Sequence, residues 1–110
     1  MTTDEGNAHS AAQPGVIDRL IHEPARLMLM SYLYVVDGAD FLFLMRQTGM
    51  TQGNLSSHLS KLEQAGYIDV EKKFVGKKPR TMIRATGEGR EAFQEYRQRM
   101  ESILEESKGE

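Results

Sequence analysis

Between Thr51 and Lys61 the chain sets out Gln52, Asn54, Ser56, Ser57 and Lys61, short amide, hydroxyl and ammonium groups that donate and accept hydrogen bonds. Leu55, Leu59 and Leu62 run among them at i, i+4 and i+7, so one helix would carry an apolar stripe on one side and these polar groups on the other. A helix that slim on its polar side fits a groove about 12 Å wide and can pair with base edges there. Further on, Lys72, Lys73, Lys77, Lys78 and Arg80 crowd around Gly76 and Pro79. Other chemistries find little footing. With 0 cysteines there is no thiolate ligand, disulfide or cysteine nucleophile. His9, His22 and His58 form no His-x-x-x-His pair, so no metal site is expected. Glycine-rich phosphate loops, nucleophile elbows and isolated carboxylate pairs are missing from the pattern, so neither an enzyme nor a cofactor is expected.

The charge is unevenly spread. The net charge is −2 over 110 residues, but residues 1–45 sum to −4, residues 46–84 to +5 and residues 85–110 to −3. A basic middle between acidic ends suits a chain in which only the middle faces a phosphate backbone. The longest apolar stretch, Leu27 to Val36, is interrupted by Ser31 and falls well short of the roughly 20 residues of a membrane span. No basic start followed by an apolar run marks a secretory signal, so a cytoplasmic protein is expected, with no membrane partner.

These residues need elements to position them. Residues 1–15 read as a disordered tail, and residues 16–106 as one domain. Val16, Ile17, Leu20 and Ile21 share one side of a short helix that needs a partner surface. Pro24 opens a second helix, running to about Asp37 and apolar almost all round, hence central in the core. Asp40 caps a third, Phe41 to Gln47, and Thr51 caps the polar-faced helix after the turn Thr48-Gly49-Met50. Two short helices so joined have the spacing of a helix-turn-helix. Gly66 ends the second of them, and alternation takes over. Tyr67, Ile68, Val70, Phe74 and Val75 form one strand, Gly76-Lys77-Lys78-Pro79 a turn, and Arg80 to Ala85 the return strand, with Thr81, Ile83 and Ala85 on one face. Thr86 begins a last helix reaching about Glu106, its first turn weakened by Gly87 and Gly89. Phe93, Tyr96, Met100, Ile103 and Leu104 make a nearly heptad seam along it, of the kind that pairs with a partner helix.

The run LSSHLSKLEQAGYIDVEKKFVGKKPRTMIRATGEGREAF resembles the winged-helix transcriptional regulators of the multiple-antibiotic-resistance (MarR) and arsenical-resistance (ArsR) type, and most of all their small stand-alone relatives. LSKLEQAGYI and KPRTMIRATGEG carry most of the likeness, and HEPARLMLMSYL is similar to the family's first core helix. The resemblance implies a mainly α fold with a small β-hairpin (α+β): a winged helix-turn-helix with a long C-terminal dimerisation helix, residues 86–106. It implies that Thr51, Gln52, Asn54, Ser56, Ser57 and Lys61 face the major groove from a recognition helix over residues 51–65. It further implies a basic wing over residues 72–84, in which Lys72, Lys73, Lys77, Lys78 and Arg80 meet phosphates or the adjacent minor groove. Ser57 stands where many relatives have an arginine, which weakens direct base readout.

The expectation is therefore a regulator that binds double-stranded DNA as a homodimer, dimerising through Ile17, Leu20, Ile21, Phe93, Tyr96, Met100, Ile103 and Leu104. The alternative is a winged-helix module that binds another protein and little or no DNA. Relatives with a small-molecule effector hold it between core and dimer helices. Met28, Met30, Tyr32, Tyr34, Phe41, Phe43 and Met100 have the character to line such a cavity, though residues like these more often are simply core.

Overall fold

The computed structural model describes residues 17–108; the expected tail, His9 and Val16 lie outside the described residues. In chain order the elements are α1 (Pro24–Tyr34), β1 (Ala39–Asp40), α2 (Phe41–Thr48), α3 (Gln52–Gln64), β2 (Ile68–Val75), β3 (Lys78–Ala85) and α4 (Gly87–Glu106). The strands form an antiparallel sheet in the order β1-β3-β2, with Ala39 opposite Ile83 and Ile68 opposite Ala85. The helices pack on one side of it around Leu29, Met30, Leu33, Leu44, Leu55, Leu62 and Ile83, all fully buried. Among the described residues no helix is long and apolar enough to cross a membrane.

Helix ends follow the capping side chains. Asp40 accepts from the Phe43 amide, Thr51 from Asn54 and Thr86 from Gly89. Glu23 caps α1 by accepting from the Arg26 amide, with Pro24 in the first turn. That backbone hydrogen bond holds the Glu23 carboxyl below its usual pKa. Gly66 takes φ 82°, and the Tyr67 amide donates to Leu62 O and the Gly66 amide to Glu63 O. This pair of bonds is the Schellman arrangement, which turns the chain from α3 directly into β2.

Four expectations are corrected. The short helix before Pro24 is a turn: the His22 amide donates to Asp18 O, while Asp18 Oδ1 accepts from the Leu20 and Ile21 amides at 3.0 and 3.1 Å. Helix α1 ends at Tyr34 rather than Asp37, and it is open on one flank, where Met28 and Val35 are exposed. The hairpin turn is only Gly76-Lys77, because Lys78 and Pro79 already pair with Val75 and Phe74. Proline fits there because the pair beyond the one that closes a two-residue turn needs no N–H in the ladder. The sheet also has a third strand, β1.

The dimer seam is corrected as well. Ile21, Phe93 and Tyr96 are buried in the chain's own core, and Ile17, Leu20 and Met100 pack against it. The Phe93 and Tyr34 rings lie 5.1 Å apart. The first half of α4 thus spends its apolar stripe on α1, and only Ile103 and Leu104 of the seam are exposed.

A polar contact fastens the N-terminal turn: the Tyr67 hydroxyl donates to Asp18 Oδ2 at 2.5 Å. Burial first, then the Asp18 carboxylate, pushes the Tyr67 phenol far above its ordinary pKa near 10. The unfolded chain therefore ionises this phenol first as pH rises, so its contribution is whole below about pH 10 and declines above it. Tyr67→Phe should cost about 1–2 kcal/mol at pH 8. In denaturant melts the gap between parent and variant should narrow from pH 10 upward; a gap constant to pH 11 would refute the contact.

Candidate nucleic-acid interface

Helix α3 follows α2 after the short turn through Gly49, whose φ is 73°. Thr48 Oγ1 donates to Leu44 O and accepts from the Met50 amide, which fixes the direction of the chain entering α3. Leu55, Leu59 and Leu62 bury the inner stripe, as their spacing predicts. Gln52, Asn54, Ser56, Ser57 and Lys61 are all exposed on the remaining surface. Thr51 is exposed too, but its hydroxyl already accepts from the Asn54 amide at 3.1 Å. His58 turns away from this surface toward α1, where its Nδ1 lies 3.1 Å from Arg26 Nη1. The same arginine donates from Nε to Leu20 O at 2.7 Å, tying the N-terminal turn, α1 and α3 together.

The hairpin stands beside α3, and its register sorts the cations. Val70, Lys72 and Thr81 face α3; alternation then sends Lys73, Lys78 and Arg80 to the opposite face. Lys73 and Arg80 are direct cross-strand partners, as are Lys72 and Thr81. Gly76, with φ 66°, occupies the first central turn position, the hallmark of a type II′ hairpin. Lys77 follows it at the tip. Arg84 on the outer face is engaged with Glu71 at 3.3 Å.

Between α3 and the hairpin lies a groove of about 280 Å³, lined by Phe41, Gln52, Ser56, Leu59, Ser60, Glu63, Val70, Lys72 and Thr81. The structure thus brings Gln52, Ser56 and Lys72 together and leaves Lys73 and Arg80 on the other side of the sheet. Ser60, Glu63 and Thr81 are additions that the sequence pattern does not single out. Ser60 and Glu63 continue the Ser56 line by one and two turns, so helical spacing contains the signal; Thr81 needs the strand register. Glu63 opposes a phosphate deep in this groove, whereas Lys72 favours one. Of the residues suited to an effector cavity, Phe41 alone lines this groove, and Met30 is fully buried in the core. Among the described residues no group of three or more His, Asp or Glu could hold a metal ion.

Helix, short strand, helix-turn-helix, two-stranded wing and closing helix define a winged helix-turn-helix. The model of a family described as a winged helix DNA-binding domain matches residues 25–104, and the chain belongs to that family. An uncharacterized protein of Methanocaldococcus jannaschii is 31% identical over 78 residues, which are 71% of this chain and 85% of that one. Among solved structures, a transcriptional regulator homologue from Pyrococcus horikoshii superposes with a TM-score of 0.74 at 27% identity, covering 78% of this chain and 85% of that one. NadR in complex with 4-hydroxyphenylacetate superposes with a TM-score of 0.65 at 21% identity, covering 84% of this chain and 67% of that one, a likeness of fold.

Proposed function

We propose that the protein is a transcriptional regulator that binds double-stranded DNA with modest sequence preference and acts as a homodimer. The observation that carries this reading is the continuous surface made by the exposed polar face of α3 and the cationic hairpin beside it. In this reading Gln52, Asn54, Ser56, Ser57 and Lys61 enter the major groove, and Lys72 and Lys77 contact the flanking backbone. Lys73, Lys78 and Arg80 act from the outer face of the wing. The Pyrococcus horikoshii structure, itself a transcriptional regulator homologue, supports the regulatory part. Pairing of two chains falls to the end of α4, where Ile103 and Leu104 are exposed beside half-buried Met100.

A protein-binding module is the competing reading, favoured by the exposed Leu42 and Phe43 on α2. Titrating the protein into random duplex and into genome-selected duplex across a salt series separates the two. Salt-dependent binding to both, tighter to the selected sequence, is expected, with two chains per site. Gln52→Ala or Asn54→Ala should then erode the preference by about 1–3 kcal/mol while leaving random-duplex affinity nearly unchanged. Binding that does not respond to salt, or none at all, would establish the module instead.

A further inference from the structure

The wing ends in an apolar pair that its own chain leaves uncovered. Phe74 is 72% exposed and stands directly opposite Pro79 at the last positions before the turn pair Val75 and Lys78. Both lie on the sheet face that carries Val70, Lys72 and Thr81, two positions further out than Lys72. The core stops short of them: Val70 is half-buried, and beyond it every residue of β2 is exposed. Lys72 shares that face two positions behind Phe74, Lys77 sits at the tip, and Lys73, Lys78 and Arg80 line the opposite face of the same two strands, while the acidic residue nearest along the strand, Glu71, is engaged with Arg84. A hairpin end that is apolar on one face and carries cations behind that pair, at its tip and on its other face calls for a partner of the inverse pattern, apolar within and anionic at both edges. The minor groove of duplex DNA has it, with deoxyribose walls inside and a row of phosphates on each edge about 6 Å apart.

We infer that Phe74, backed by Pro79, is an apolar wedge that enters the DNA minor groove beside the site read by α3, while the lysines at the tip and on the two faces of the hairpin hold the two phosphate rims. The type II′ turn and the direct cross-strand pairing make the wedge rigid, so little conformational freedom is lost when it docks. Inserted apolar side chains favour A·T-rich steps, where no guanine amino group obstructs the groove floor and the duplex deforms more readily. This inference rests on the DNA-binding reading and adds a contact that does not depend on charge.

The chain contains 0 tryptophans, so Phe74→Trp places a single reporter at the wedge. The experiment titrates this variant with A·T-rich and G·C-rich hairpin duplexes, following indole emission and acrylamide quenching, and measures Phe74→Ala binding across a salt series. The indole should become shielded at the same duplex concentration that gives half-binding, more fully on the A·T-rich probe. Phe74→Ala should bind about tenfold more weakly with its salt slope unchanged, because a buried aromatic contributes without releasing counterions. Duplex binding with an indole as quenchable as before, or full affinity of Phe74→Ala, overturns the wedge and leaves the DNA reading standing. Shielding that grows with protein concentration alone overturns it in favour of a contact between copies of the chain. A parent protein that binds neither duplex overturns both readings together.

Discussion

Replacing Gly89 by alanine should destabilise the protein by about 3 kcal/mol or more, and in the opposite sense to what helix propensity alone dictates. Alanine in place of a helical glycine ordinarily stabilises by up to about 1 kcal/mol. Here an added Cβ would sit 2.0 Å from the Tyr67 carbonyl oxygen and 2.8 Å from its carbon, backbone atoms that cannot step aside. That same carbonyl accepts from the Thr86 amide at 3.0 Å, and Thr86 Oγ1 donates to Gly66 O at 2.6 Å. Relief of the collision would therefore break the joint between the end of α3, the start of β2 and the start of α4. Gly87 is the internal control, since nothing lies within 4 Å of its added Cβ. Gly87→Ala should be neutral or slightly stabilising. Thermal melts should place Gly89→Ala at least about 12 °C below the parent; a midpoint at or above the parent would falsify the close approach.

The second large effect concerns affinity. Changing Lys72, Lys73, Lys77, Lys78 and Arg80 together to glutamine should weaken random-duplex binding about a hundredfold or more at 0.1 M salt, with the salt slope falling by about 0.9 for each phosphate no longer neutralised. All five are exposed, so circular dichroism and melting should be nearly unaffected. The sheet faces divide the effect. Lys72, in the groove beside Gln52 and Ser56, should cost more when changed alone than Lys73, which points from the other face. Equal losses for the two would mean that the backbone does not follow this groove, and an unchanged slope in the fivefold variant would remove the wing from the interface altogether.

The features that are readable in the sequence are those set by neighbours a few residues apart. The Leu55, Leu59 and Leu62 stripe, the caps at Asp40 and Thr51, and the stop at Gly66 depend on local geometry, and each lies where its residue type requires. The features that are not readable depend on distant partners. Two-residue β1 exists only because β3 offers it a ladder. Pro79 reads as a turn residue until Phe74 is seen across from it. The α4 seam reads as apolar and is apolar, but spacing cannot say that α1 covers Phe93 and Tyr96 while Ile103 and Leu104 stay open. Gly89 reads as a weak point in a helix, and its reason is the Tyr67 carbonyl 22 positions earlier. At the site, Gln52, Asn54, Ser56, Ser57 and Lys61 are legible as an exposed polar face, while Ser60 and Glu63 join Ser56 only once the groove beside the hairpin is seen. The assignment of Lys72 rather than Lys73 to the groove needs the register, because adjacent strand residues always point to opposite faces.

One guanidinium has a wider consequence. Arg90, in the first turn of α4, donates to Tyr34 O and, at 2.8 Å, to Val36 O, so it finishes the end of α1 from the neighbouring helix. Helix α1 has no basic residue of its own in its last turn. The helix whose end exposes Ile103 and Leu104 and the helix that packs on α3 are thereby fastened near their roots, beside the contact of Phe93 with Tyr34. A tilt imposed on the far end of α4 would bear first on α1, which packs directly on α3, with the long arm of α4 acting as the lever.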